Sequence, residues 1–198
     1  MSAVVEQVDD PATGAGSGLA DARQENWRRL FDDLAGGRRQ ALEELYDLAA
    51  EQVFGLALWR TGSADDAGDV VQEVFLRLVE KRHQLRAVRD PRAWLLTVTQ
   101  RAAVDATRRR SRRQSQPLEA CPFLEATGED SDRAVDARRA SHLLASLPPA
   151  QRDVIYLHHF AGCTFAAIGD IVGVPTFTAA SRYRLGMQKL RRMMEVEP

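Results

Sequence analysis

The stretch from Thr164 to Arg192 constrains this chain most. A short amphipathic run with Phe165, Ile168 and Val172 on one side meets Gly173-Val174-Pro175, and a longer helical run follows. The second run carries Arg182, Arg184, Lys189, Arg191 and Arg192 and meets no acid before Glu195. Two helices joined by a tight turn, the second of them basic, is the plan of a helix-turn-helix. Gly169 allows a close crossing, and Gly173 can take the positive φ that such a turn requires. A basic helix presented in this way fits the major groove of DNA. The bland alternative is a helical hairpin with a solvated basic face.

Elsewhere the apolar residues repeat at helical spacing, and no alternating strand pattern of any length occurs. Residues 1–22, rich in Ala, Gly, Asp and Ser, read as a disordered tail. Trp27, Leu30, Phe31 and Leu34 then form a core-facing stripe that Gly36-Gly37 closes. A second helix is expected over about 38–60. Ser63 with Asp66 has the form of a capping box at the start of a third, which carries an apolar stripe from Ala67 to Leu78. Asp90-Pro91 starts a fourth, with Asp as N-cap and Pro at the first helical position. It holds Trp94, Leu95 and Val98 and ends in an arginine run. Residues 114–132 read as a flexible acidic linker. Helices resume near Arg133, break at Leu147-Pro148-Pro149, and continue to Phe160. The expected fold is all-α: two small helical domains, 23–113 and 133–198, joined by that linker.

Net charge is only −1, but its distribution is uneven. Residues 42–73 hold eight acids against Arg60, a net of −7, whereas 77–113 hold twelve bases against three acids, a net of +9. Such segregation points to partners of both signs. The third helix presents Asp65, Asp66, Asp69, Gln72, Glu73 and Glu80 on its polar face. In the fourth, arginines supply phosphate affinity, and Trp94 is either a core residue or a surface on which an unpaired base stacks.

Two cysteines, Cys121 and Cys163, make neither a disulfide framework nor a metal cluster and fit a reducing compartment. No apolar run approaches a membrane span, and the N-terminus lacks a signal-peptide pattern. A soluble, cytoplasmic protein without cofactor or membrane insertion is expected. His158-His159 cannot chelate one ion as helix neighbours about 100° apart; helix surface and interdomain packing are expected of them. No phosphate-cradling glycine loop, nucleophile elbow or catalytic carboxylate pair is present, which argues against an enzyme.

Asp65-Asp-Ala-Gly-Asp69-Val-Val-Gln72-Glu73-Val-Phe75, then Pro91-Arg-Ala-Trp94-Leu, then Asp105 and the arginine run resemble region 2 of the sigma-70 family. Leu147-Pro148-Pro149-Ala-Gln151-Arg152-Asp-Val154, the Gly162 turn and Ser181-Arg182 resemble its region 4. With only a linker between them, the chain resembles the extracytoplasmic-function (group 4) RNA polymerase sigma factors over about 25–192. The resemblance implies a subunit that binds core RNA polymerase and directs promoter-specific initiation. Asp66, Asp69, Gln72, Glu73 and Phe75 then match the positions that dock on the β′ clamp. Trp94, Arg101, Arg108, Arg109 and Arg110 match those that open and read the −10 element, where extruding a base costs a few kcal/mol. Thr178, Ser181, Arg182, Arg184, Gln188, Lys189 and Arg191 are the candidates for the −35 duplex, the last two for phosphate alone. Region 4 would also hold the β flap, and the acidic linker would run through the positively charged interior of the polymerase.

Four positions depart from the family pattern. Arg101 replaces a common Asn, Phe177 a Gly and Leu185 a base-reading Arg, which implies an atypical promoter, and Ala167 replaces a capping Glu at a cost of about 1 kcal/mol or less in local helix stability. The resemblance also implies an anti-sigma factor as partner. The rival reading is a polymerase-independent helix-turn-helix regulator, which has no need of the acidic helix.

Overall fold

A computed structural model describes residues 17–113 and 146–196, and every regular element in them is helical. The expected linker and the helix expected from Arg133 therefore lie outside the described residues, as do residues 1–16 of the tail. Helix α1 (Ser17–Ala35) begins six residues before the Arg23 at which apolar periodicity starts. Its Trp27, Leu30, Phe31 and Leu34 are all buried. Helix α2 (Arg39–Thr61) stops at Gly62, whose left-handed backbone returns its N–H to the Leu58 carbonyl.

Helix α3 (Ala64–Glu80) opens as its sequence foretells: the Ser63 hydroxyl accepts from the Asp66 N–H at 3.3 Å, with Asp65 and Asp66 at the positive end of the helix dipole. Its stripe Ala67, Val70, Val71, Val74, Phe75 and Leu78 is buried throughout. A 3-10 turn, Arg82–Ala87, plugs Leu85 into the core and leads to α4 (Pro91–Arg113). There Asp90 caps as expected, its carboxylate accepting from the Ala93 N–H at 3.0 Å. α1 to α4 enclose one core around Phe31, Leu45, Val53, Val70 and Leu78.

Helix α5 (Pro149–His159) carries Pro149 at its first turn, where the missing N–H costs nothing. Helix α6 (Phe165–Val172) is capped by Thr164, which accepts from the Ala167 N–H at 3.3 Å, and ends at Gly173 with φ 71°. Helix α7 (Thr176–Val196) follows directly. The core of these three helices is not theirs alone. Leu56 and Trp59 of α2 and Leu96 of α4 share it with Val154, Tyr156, Leu157, Ile168 and Ile171. The C-terminal helices thus sit on the N-terminal bundle, α5 against α2 and α6 against α4. Two separate apolar periodicities in sequence have become one continuous packed body. No described helix is long and apolar enough to cross a membrane.

Candidate nucleic-acid interface

The polar face of α3 follows from its period: Asp69, Gln72 and Leu76 are exposed, while Asp66 and Glu73 lie at its half-buried edge. That edge is not open. Arg110 of α4 reaches Asp66 at 2.9 Å, Arg109 reaches Glu73 at 3.5 Å, and Arg77 bridges to Glu73 along α3. Phe75, which the motif groups with these acids, stands apart from them. It is buried, with the Tyr46 ring lying on it at 4.9 Å. The exposed apolar groups here are Leu76 and Tyr46, at 63% and 50% exposure. Sequence reasoning passed over both: Tyr46 continues an apolar stripe of α2 that reads as core, and Leu76 is a single apolar residue on an otherwise polar face.

On the other flank of α4 a cavity of about 330 Å³ opens between Trp94, Val98 and Arg101 and the segment Arg77–Val88. Trp94 both packs on the core and lines the cavity. Its ring meets the buried Phe31 edge-on at 5.9 Å, yet the side chain is only half buried and lines the cavity. Arg101 stands exposed at the rim. Lys81, between α3 and the 3-10 segment, and Gln84 within that segment supply further polar lining. Cationic and aromatic groups around one concavity suit a stacked base with its phosphate. Arg108 points to solvent and pairs only loosely with Asp105, at 3.8 Å, while Arg109 and Arg110 turn to the acidic face instead.

The helix-turn-helix is built as its glycines require. A Cβ on Gly169 would stand 2.7 Å from the Val174 carbonyl oxygen, so only glycine lets the turn fold back this tightly. The presented face of α7 has Arg184, Gln188, Lys189 and Arg191 exposed and Thr178, Ser181 and Arg182 half-buried. Phe177 and Leu185, at 79% and 50% exposure, stand among them. Lys189 donates to the Ser146 carbonyl at 2.7 Å, which ties the helix to the segment before α5.

His158 and His159 pack on rings of the C-terminal helices. His158 stacks on Phe165 at 4.6 Å, and His159 shares a 2.9 Å hydrogen bond with the Tyr183 hydroxyl, all within the C-terminal helices. Burial, together with His158, pushes the His159 pKa below its ordinary value. Burial pushes the Cys163 thiol up, so it is a packing group rather than a nucleophile. Among the described residues no three ligating side chains come together to hold a metal.

Sequence reasoning missed a charged cluster where α5 meets α2 and α4. Asp153 accepts from Arg60 at 2.6 Å and from the Gln100 amide at 2.7 Å. Burial pushes the Asp153 carboxyl above the usual carboxylate range, and Arg60, Gln100 and Arg152 pull it back. Nearby, the Tyr156 hydroxyl donates to the Gln52 carbonyl at 3.1 Å, and Arg92 donates to that of Ala161. The available signal was an aspartate set against the apolar run Val154 to Leu157.

The family model for Sigma-70 region 2 matches residues 45–113, and that for Sigma-70, region 4, matches 143–192. Together they take in more than half of the chain. The chain belongs to the sigma-70 family. It is similar to the ECF RNA polymerase sigma factor SigK of Mycobacterium ulcerans, 29% identical over 180 residues, or 87% of this chain and 96% of that one. The sigma factor SigE of Mycolicibacterium smegmatis is 31% identical over 168 residues, covering 75% of this chain and 60% of its own. Two solved structures share the fold at 20% identity. One is CnrH in complex with the cytosolic domain of CnrY, at TM-score 0.64 over 87% of this chain and 99% of that one. The other is the sigma factor RpoE with the anti-sigma factor NepR from Bartonella quintana, at 0.66 over 79% and 98%. This sigma factor is of the extracytoplasmic-function type. It is a transcription initiation factor, not an enzyme, and its partners are core RNA polymerase and promoter DNA.

Proposed function

We propose that this sigma factor divides its task among three surfaces. Asp66, Asp69, Gln72 and Glu73, with Leu76 and Tyr46 as their apolar centre, bind the β′ clamp of core polymerase; buried Phe75 supports Tyr46 from beneath. The cavity beside α4 takes a base of the opened −10 strand, with Trp94 as stacking surface and Arg101, Lys81 and Arg108 on the backbone, joined by Arg109 and Arg110. The −35 duplex lies on α7, read by Thr178, Ser181, Arg182, Arg184 and Gln188, while Lys189 and Arg191 meet phosphate. Region 4 also holds the β flap. The chain acts in the cytoplasm, and an anti-sigma factor is its expected regulator. Two fold relatives solved in complex, one of them with an anti-sigma factor, support that last reading.

One observation carries the proposal: an acidic face with an exposed apolar centre shares the chain with two cationic surfaces suited to nucleic acid. A polymerase-independent regulator has no use for that face. Run-off transcription with core polymerase on a library of −35/−10 promoters tests the whole reading, and no stimulation over core alone would sink it. Asp69→Arg with Glu73→Arg tests the docking surface. Loss of polymerase binding with unchanged circular dichroism is expected, and full retention overturns the assignment.

A further inference from the structure

The first turns of α7 carry two exposed apolar side chains that the function proposed above leaves without a task. Phe177, its second residue, is 79% exposed, and Leu185 is half exposed. Neither belongs to the side that holds the helix in place. That side is formed by Ala179 and Gly186, both buried, with Tyr183 and Met187 packed beside them. Phe177, Ser181 and Leu185 instead follow one another at i, i+4 and i+8 along the opposite side, with Arg184 and Gln188 as their neighbours.

Packing fixes which way this side looks. A Cβ on Gly186 would stand 2.8 Å from Ile155 Cδ1, and the Tyr183 hydroxyl shares its hydrogen bond with His159, so α7 is seated on α5 at two levels. The surroundings of the apolar pair are cationic. Between Thr176 and Arg192 the other exposed residues are polar or basic, and the first acid of the helix is Glu195. A polyanion is the occupant that such a face suits. Two exposed apolar groups among cations that seek phosphate then require an apolar group on that polyanion.

The major groove offers one such group, the C5 methyl of thymine; the edges of guanine, adenine and cytosine present donors and acceptors. Leu185 has neither donor nor acceptor in its side chain, so it cannot select guanine through O6 and N7 as an arginine does. Phe177 stands in the N-terminal turn, the part of a recognition helix that reaches base edges. Eight residues of helix rise about 12 Å. That is the height of about three to four base pairs at about 3.4 Å each, so the two side chains meet different bases of one element.

We infer that Phe177 and Leu185 are specificity-determining residues of the −35 reader, each packing on a thymine methyl in the major groove, the two thymines about three to four base pairs apart. This step rests on the placement of the −35 duplex on α7 proposed above. Arg184 and Gln188 supply the polar contacts of the same face, and the apolar pair selects where methyl groups must lie.

Holoenzyme assembled from the full chain and core polymerase first selects −35 elements from a promoter library randomised at that site. Each thymine of the selected element is then replaced by uracil, which lacks the methyl alone. Uracil is expected to weaken binding about fourfold at two positions, the effect of losing one buried methyl. Phe177→Ala should relieve the cost at one of them and Leu185→Ala at the other; both side chains are exposed, so alanine leaves the core intact. Leu185→Arg should exchange thymine for guanine at its position. A selected element without thymine, or uracil tolerated at every position, overturns the inference. A variant that relieves neither cost overturns the assignment of its own residue. Loss of affinity for core polymerase in an alanine variant that keeps full uracil discrimination also overturns it and gives that residue to a protein partner. Failure of the sigma assignment is distinct and comes earlier: the chain with core polymerase enriches no element over core alone, and the methyl reading falls with it.

Discussion

Removing Arg110 should tighten the grip of this sigma factor on core polymerase. The side chain is a DNA candidate, yet it is paired at 2.9 Å with Asp66 on the proposed docking face, the two being 30% and 28% exposed. Arg109 pairs more loosely with Glu73, at 3.5 Å and 48% and 28% exposure. Polymerase must displace both before it can take the carboxylates. Pairs this open to solvent contribute about 0.2–1 kcal/mol each, and the shorter, less exposed Arg110 pair belongs at the upper end of that range. Arg110→Ala should therefore lower the dissociation constant about three- to fivefold, and the double variant with Arg109→Ala up to about tenfold. The assay is fluorescence anisotropy of labelled chain with core polymerase and no DNA, which removes the arginines' other role. Surface pairs fade as the screening length falls from about 10 Å at 0.1 M salt to about 3 Å at 1 M, so the gain should shrink with added salt. Weaker binding by Arg110→Ala at both salt concentrations would refute the reasoning, because it would make the arginine a support of the docking face rather than a competitor for it. In transcription the same variant should lose activity through its missing phosphate contact, which separates the two roles.

Two further outcomes follow from the packing. Gly169→Ala forces a methyl against the Val174 carbonyl, backbone that cannot swing aside. Overpacking of about 1–3 kcal/mol exceeds the helix-propensity gain of up to about 1 kcal/mol, so the denaturant midpoint and affinity for a −35 duplex should both fall. At Gly68 on α3 the added methyl meets nothing within 4 Å, and Gly68→Ala should stabilise by about 0.5–1 kcal/mol; equal behaviour of the two variants would contradict the close approach. Burial, aided by Glu51 and opposed by Arg92, pushes the Tyr156 hydroxyl up to about 12. Because that pKa is raised, its support of the contact between α5 and α2 is whole below the ordinary value of 10.0 and is lost as pH rises through about 12. Ultraviolet titration should show Tyr156 as a late phenol in wild type that moves toward 10 in Gly55→Ala, whose methyl would press on its hydroxyl, and an ordinary Tyr156 in wild type would place the ring outside the interface.

The local features of the fold were legible because their causes are local. Ser63, Asp90 and Thr164 cap helices through N–H groups three residues on, and Gly173 takes its positive φ within the turn it closes. Periodicity placed the α3 stripe correctly because burial of one helical face depends on residues three and four apart. The same logic turned Phe75 inward with its stripe, whereas its place among the docking positions came from the motif alone. Periodicity missed the cavity segment Arg82–Ala87, whose 3-10 geometry has no apolar period of its own to read.

The sequence by itself determined the helical class, the capped starts at Ser63, Asp90 and Thr164, the acidic and basic faces, and the helix-turn-helix, since each arises from neighbours a turn or two apart. Only the tertiary structure decided that the C-terminal helices share a core with α2 and α4, that Arg109 and Arg110 pair with the acidic face of α3, and that Asp153 is buried between Arg60 and Gln100. The physical reason is distance along the chain. An aspartate reads as solvated until Arg60, 93 residues away, is folded against it, and nothing in the spacing of charges announces which of many surface partners burial will select.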